Sequence, residues 1–228
     1  MNMFSRLTTI ALATLALSPL AASADGWYSN NARSYEVTVT NVSATTFTPL
    51  LVVAHKKSIS LFETGTEAGE ELALLAEGGA TGPFVELLDT LPQLIGDVET
   101  TDGLLAPGES VTVRLDTTRP FNRISVAAML LPTNDSFVGL NTVRAPRYRW
   151  QTIDYTAIGY DAGSEPNDEL CANIPGPQCG GEGPSPGAGG EGYVRVSPGI
   201  HGEGDLAASQ YDWRNPVARV SVQRISSN

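Results

Sequence analysis

Cysteine, histidine and basic residues are scarce in this sequence, and each shortage excludes a class of protein. There are two cysteines and two histidines in 228 residues, and no set of them has the spacing of a zinc site. The chain has 14 Lys and Arg against 25 Asp and Glu, which gives a net charge of −11. Such a chain repels nucleic acid and anionic membrane surfaces, so neither is an expected partner.

Long apolar runs are also missing, except at the N-terminus. There Arg6 precedes the apolar residues 7–20, and Ala22-Ser-Ala24 follows as a small-residue cleavage signature. This order is typical of a secretory signal peptide, and the apolar stretch is too short to span a membrane comfortably. We expect residues 1–24 to be removed and the mature protein to be secreted or periplasmic.

The mature chain is long enough for one large all-β domain. We assign residues 25–34 to an N-terminal extension and residues 35–228 to the domain. Cys171 and Cys179 are most simply a local disulfide, because an exported protein occupies an oxidising space. Residues 175–190 are dominated by Gly and Pro, which predicts a long exposed loop.

Hydrophobic periodicity predicts a β-protein with few helices. Residues 35–42 alternate apolar and polar side chains, as a half-buried strand does, and residues 48–54 (TPLLVVA) are a more fully apolar strand. A short helical insertion is predicted next, with one amphipathic helix over 67–76 and one or two further turns over 83–91. Short strands separated by turn residues indicate an antiparallel β-sandwich. Its remaining strands are predicted over 110–115, 123–131, 137–140, 151–156, 192–197 and 217–225.

No arrangement of a nucleophile and a base indicates catalysis. Residues 183–187 (GPSPG) match the G-x-S-x-G pattern of a nucleophile elbow, but that turn needs a backbone N–H after the serine, and Pro186 has none. His55 and His201 are isolated from partners, and a structural role is the better interpretation of each. The sequence therefore predicts a protein that is not an enzyme.

Two acidic segments remain as candidates for a cation site. Residues 161–169 (DAGSEPNDE) hold four carboxylates and an amide, and their Gly and Pro exclude a helix interior or a central strand. Asp135 lies in a tight polar turn within LLPTNDSFVG. Ca²⁺ takes about six to eight oxygen ligands, usually from adjacent loops. A solvated acidic loop and an Asx-type turn are the alternatives.

Several stretches together resemble the spondin N-terminal domain, in the form exported by bacteria. They are LLPTNDSFVGLN, YDAGSEPNDELC, WRNPVARVSV and the early VTVTN strand followed by TPLLVVAHKKSISLFETG. The resemblance implies a C2-like β-sandwich of the kind found in extracellular-matrix proteins, with calcium held between loops at one end. It also implies that Asp135, Asp161 and Glu165 are the metal ligands. Vertebrate members often have aspartate at the position of Glu165, and their cysteine framework is not matched.

These observations lead us to expect an exported, calcium-binding, non-enzymatic domain that acts in interaction or adhesion. Its partner is an unidentified protein or glycan of the extracellular space or the cell envelope. Two alternatives stay open. One is a secreted metal-dependent hydrolase that uses His201 with Asp205 or the acids of residues 161–169. The other is a structural envelope protein without a metal.

Overall fold

The computed structural model describes residues 31–185 and 189–227, and the predicted signal peptide lies outside them. Within the described residues the fold is all-β, with a short helical insertion, as predicted. The helices are α1 (Glu70–Gly78), α2 (Gly82–Asp89) and α3 (Ala208–Tyr211). The strands are β1 (Ala32–Asn41), β2 (Thr46–Phe47), β3 (Leu51–His55), β4 (Ile95–Thr100), β5 (Ser110–Thr118), β6 (Arg123–Leu131), β7 (Ser136–Arg144), β8 (Thr152–Asp161), β9 (Arg195–Val196) and β10 (Ala218–Ile225).

Eight of these strands form one hydrogen-bonded path in the order β4-β3-β6-β7-β8-β10-β1-β5. Every pairing along it is antiparallel. The two outermost strands, β4 and β5, are in contact. The backbone N–H of Asp116 in β5 donates to the Asp97 carboxylate in β4 at 2.6 Å. The sheet therefore folds over on itself and is close to a barrel, with two layers around one core.

β3 is buried on both of its faces, which explains why its sequence is almost wholly apolar. Val52 and Ala54 point into the large core between the two layers of the sheet. Leu51 and Val53 point the other way, into a second apolar cluster beneath the helices. A strand that is covered on both faces has a continuous run of apolar residues, whereas a half-buried strand alternates apolar and polar residues. The insertion thus covers a sheet face that would otherwise be exposed.

The helical insertion packs on this outer face through a few large side chains. Leu72 and Leu75 of α1 and Phe84 of α2 are buried in the second cluster. α1 begins three residues later than predicted, after the extended Gly69, and is capped after Gly78 by Gly79, whose φ of 68° suits a glycine. α2 lies within one or two residues of the predicted 83–91.

Other differences from the sequence-based expectation concern strand length. β8 continues to Asp161, although the predicted strand stopped at 156. β4 was not predicted; it is an outer strand, and half of the residues in its sequence, IGDVET, are polar. The predicted disulfide between Cys171 and Cys179 is confirmed. No helix in the described part of the chain combines the length and the apolar character needed to cross a bilayer.

A substitution at Gly139 would test the packing beneath the helical insertion. The rings of Phe62, Phe137 and Tyr160 pack together around this point, with Phe62 centred 4.8 Å from Tyr160. A Cβ on Gly139 would lie 2.7 Å from Cδ2 of Tyr160 and 2.8 Å from Cζ of Phe62. We expect Gly139→Ala to lower the free energy of unfolding in urea by about 1–3 kcal/mol, because the rings must move apart. Gly82→Ala is the control, since a Cβ there meets nothing within 4 Å; equal midpoints for the two variants would contradict this account.

Candidate metal centre

The pairing of β7 with β8 brings Asp135 and Asp161 together. Ser136, the first residue of β7, is directly opposite Asp161, the last residue of β8. Asp135 immediately precedes β7, and its carbonyl accepts a hydrogen bond from the N–H of Ala162 at 3.1 Å. Both aspartates are completely buried. Two acidic residues that lie far apart in the sequence thus share one end of the sheet.

The Asp135 carboxylate is only half satisfied. Its Oδ2 accepts hydrogen bonds from the backbone N–H groups of Ser164 at 2.8 Å and Glu165 at 3.2 Å. Its Oδ1 is buried and has no hydrogen-bond partner. Burial, and then the negative charge of Asp161, raise the pKa of Asp135 to about 7. An ionised carboxylate here has donors only at Oδ2, and its Oδ1 lacks both a donor and a compensating positive charge.

Asp161 is better supported by its neighbours. Its Oδ1 accepts from the N–H of Gly163 at 2.8 Å, and its Oδ2 accepts from the Asn167 amide at 2.7 Å. Arg195 of β9 also donates to Oδ2, at 3.3 Å. Burial still raises the pKa of Asp161, although the Asn167 hydrogen bond and the charge of Arg195 oppose it. The pair is therefore rich in negative charge, and one guanidinium balances part of it.

Glu165 lies beside this pair, but its carboxylate is turned away from it. Its Oε1 accepts from the N–H of Ser185 at 3.1 Å, and the same N–H donates to the carboxylate of Glu77 at 2.9 Å. Its Oε2 is buried without a partner. Burial raises the pKa of Glu165 to about 7, and the charge of Glu77 adds to the rise. The structure thus joins Glu165 to a second buried acid at the end of α1.

The described residues do not present a finished metal cluster. Across residues 31–185 and 189–227, no three His, Cys, Asp or Glu side chains have the spacing needed to hold a metal ion. The main chain of Glu165 contacts Asp135, whereas its carboxylate faces Glu77. Of the three ligands that the resemblance implies, Asp135 and Asp161 come together and Glu165 is adjacent.

The last two acids of the 161–169 segment have a structural role. Glu169 accepts hydrogen bonds from the backbone N–H groups of three consecutive residues, 201–203, at 2.5–2.9 Å. Asp168 accepts from the amides of Asn134, at 2.9 Å, and Asn173, at 2.6 Å. Burial would raise the pKa of both carboxyls, but hydrogen bonds outweigh it and lower the pKa of each; for Asp168 the largest such contribution is the backbone N–H of Leu170, at 2.9 Å, followed by the two amides. The segment therefore fixes neighbouring loops with one half and forms the buried acid pair with the other.

Neither histidine forms a catalytic pair that a substrate could reach: His55 contacts a serine hydroxyl, but both residues are completely buried. The His55 ring is buried between the Lys56 carbonyl and the Ser125 hydroxyl, each at 2.8 Å, and burial lowers its pKa. His201 is exposed, and Asp205 accepts from the backbone N–H of Cys171 at 2.9 Å. The arrangement that the hydrolase alternative requires of His201 and Asp205 finds no support in these contacts.

Because the charge of the Asp135 carboxylate is not fully compensated, the stability of the fold should depend on pH. Its pKa is raised on folding, so between about pH 4 and pH 7 the folded state binds more protons than the unfolded state, and stability falls as the pH rises. In EDTA, we expect Asp135→Asn to unfold at a higher urea concentration than the wild type at pH 8. The gain should be on the order of 2–4 kcal/mol and should vanish below about pH 4. A variant less stable than the wild type at pH 8 would show that the charge is compensated.

Comparison with known families supports the relationship that the motifs suggest. The Spondin_N family model matches residues 27–167, which is more than half of the chain. The matched range includes Asp135, Asp161 and Glu165 and runs from the residues just before β1 into the acidic segment. A search of curated proteins finds no match. The chain belongs to the Spondin_N family.

Proposed function

We propose that this protein is an exported, calcium-binding interaction domain whose ion is held between the Asp135 and Asp161 loops. Membership of the Spondin_N family supports a non-enzymatic extracellular domain of the interaction or adhesion type. The disulfide fits an oxidising space outside the cytoplasm. We further propose that the bound ion is calcium, held by the ligands named below, and that the domain adheres to a protein or glycan.

One observation carries the proposal, namely the buried Oδ1 of Asp135, which has no partner and lies next to a second buried carboxylate. An ionised pair of this kind is costly to bury, and it needs a proton or a cation. Carboxylate, amide and backbone carbonyl oxygens are the ligands that calcium prefers. The donor set around Asp135 therefore suits calcium.

Asp135 and Asp161 would be the two principal ligands, and Glu165 the third if its side chain turns from Glu77. The ion supplies positive charge that neither loop has. The chain's own contribution is to hold the two carboxylates in place, through the N–H groups of Ser164 and Gly163. Calcium would then stabilise the fold by mass action, since only the folded chain holds the two loops together.

Calcium should raise the melting temperature, and the two aspartates should be required. At a free calcium concentration of 100 times Kd the gain is about 2.7 kcal/mol. For a domain of this size, that corresponds to about 5–10 °C in Tm. We expect Asp135→Asn combined with Asp161→Asn to abolish the rise, as measured by calorimetry with calcium and then with EDTA.

The matched control for this experiment is Asp89→Asn combined with Asp102→Asn. It removes the same charge from two exposed positions and should leave the calcium response intact. If the melting temperature of the wild type ignores calcium, the proposed ion is wrong, and a metal-free envelope protein becomes the better interpretation. Calcium-dependent turnover of a substrate would instead favour the hydrolase.

The place of Glu165 in the site has its own test. If it is a ligand, Glu165→Gln should weaken calcium binding by at least about tenfold, because ligand charge and number set the affinity. Glu77→Gln neutralises the other member of the same acid pair and should change the affinity far less. Isothermal titration calorimetry measures both. Equal losses in the two variants would mean that Glu165 acts only through its charge.

A further inference from the structure

A second charged site lies at the end of the sheet opposite to the Asp135 loop. A cavity of about 240 Å³ is lined there by five arginines, namely Arg33, Arg119, Arg123, Arg144 and Arg147. Arg123 begins β6 and Arg144 ends β7, whereas Asp135 joins the other ends of the same two strands. A strand of this length spans about 30 Å. We call this cavity the arginine pocket.

The arginine pocket concentrates positive charge in an acidic protein. It holds five of the chain's 14 basic residues, and no Asp or Glu is among its described lining residues. None of the five forms an ion pair with any described acidic residue, although four other arginines do. Like charges repel when they lie this close together, so a bound anion would relieve the repulsion among the arginines.

Neighbouring residues extend and hold this cluster. The carbonyl of Arg147 accepts hydrogen bonds from the guanidinium groups of both Arg33 and Arg224. Nε of Arg123 and Nε of Arg224 are buried and have no hydrogen-bond partner. Burial, and then the charges of Arg33 and Arg149, lower the pKa of Arg224. The donors that a bound oxyanion could reach are the exposed guanidinium groups of Arg119, Arg144 and Arg147.

Two exposed aromatic residues closely follow Arg147, a lining residue of the arginine pocket, in the chain. The side chains of Tyr148 and Trp150 are 65% and 63% exposed, respectively. Each ring packs with the guanidinium of the preceding arginine, at 5.7 Å. Trp150 also has a φ of 65°, unusual for a bulky residue, and its backbone N–H donates to the Arg224 carbonyl at 2.7 Å. Strained, exposed aromatic residues of this kind are typical of binding sites.

We propose that the arginine pocket binds the carboxylate or sulfate group of an acidic polysaccharide, with Tyr148 and Trp150 packing on the adjoining sugar rings. Guanidinium groups pair with both kinds of oxyanion, and an aromatic face packs on the apolar C–H face of a sugar. This site goes beyond the proposed calcium function and does not depend on the Asp135 loop.

Two other polyanions fit the observations less well. Nucleic acid carries a charge about every 3.4 Å along each strand, and such a dense chain would be repelled by the acidic surface beyond the pocket. A short acidic oligosaccharide can place one carboxylate or sulfate in this local pocket and pack its sugar rings on aromatic side chains, which a nucleic acid backbone does not offer. A bilayer is flat, whereas these arginines line a concave site. Binding to either of these polyanions is therefore an outcome that the test must separate.

Calorimetric titration distinguishes these outcomes with the full-length mature protein. The probes are a sulfated heparin oligosaccharide, a polygalacturonate oligosaccharide, a neutral dextran oligosaccharide, single-stranded DNA and phosphatidylserine vesicles. We expect binding to one or both acidic saccharides and none to the neutral one, with an affinity that falls as salt is added. The relative affinities of the sulfated and carboxylated probes identify which oxyanion the pocket prefers.

The variants locate the binding. Arg119→Ala with Arg144→Ala should weaken saccharide binding by at least about tenfold, since charge-assisted hydrogen bonds are lost. Arg214→Ala with Arg219→Ala removes the same charge outside the pocket and should have little effect. Tyr148→Ala with Trp150→Ala should also weaken saccharide binding. Circular dichroism checks that each variant is folded. Asp135→Asn with Asp161→Asn should bind saccharide normally, which separates this proposal from the calcium site.

Three results would overturn the proposal. The first is an absence of binding to both acidic saccharides. The second is preferential binding to DNA or to vesicles. The third is equal weakening in the pocket variant and in its charge-matched control, which would mean that the protein responds to overall charge alone.

Discussion

The register between β7 and β8 is the constraint on which both charged ends of the molecule depend. It sets Ser136 opposite Asp161, so the residue before β7 and the residue that ends β8 must share a buried corner. β7 ends at Arg144, at the other end of the sheet. A shift of one residue would exchange the two faces of β7 and move Phe137 from the cluster beneath the helices into the core between the layers, where Val138 now packs. The packing of the core therefore enforces the position of the acids.

The buried acids differ in how their charge is compensated, and this difference identifies the candidate centre better than composition does. Glu169 accepts hydrogen bonds from backbone N–H groups of a neighbouring loop, and Asp168 accepts hydrogen bonds from two side-chain amides. Asp161 receives an amide and a guanidinium. Asp135 and Glu165 each keep one buried oxygen without a partner. In a sequence, a cluster of acidic residues fits either a solvated loop or a metal site. In a structure, a buried carboxylate oxygen without a hydrogen-bond donor shows which acid needs a proton or a cation.

The sequence was sufficient for the fold class, most strands, the helical insertion and the disulfide, because each leaves a local pattern. It was also sufficient to propose that Asp135 and Asp161 meet, since the two segments resemble one family's paired signatures. It did not predict that Glu165 would face Glu77, because that contact depends on how α1 packs on the sheet. The arginine pocket was missed for the same reason. Its five arginines come from separate segments, and only the stretch RAPRYRW shows a local excess of basic residues.

The two ends of the sheet are electrostatically independent of one another. They lie about 30 Å apart along the strands, whereas the Debye length at physiological ionic strength is about 8 Å. The acids at one end therefore contribute little to the potential at the arginine pocket, even though the chain as a whole is strongly negative. A cation at the Asp135 loop and an anion at the arginine pocket would not compete, and neither would attract the other through solvent. Any influence of one proposed site on the other would have to pass through the strands. The packed sheet between them would hold the two proposed sites at a fixed spacing.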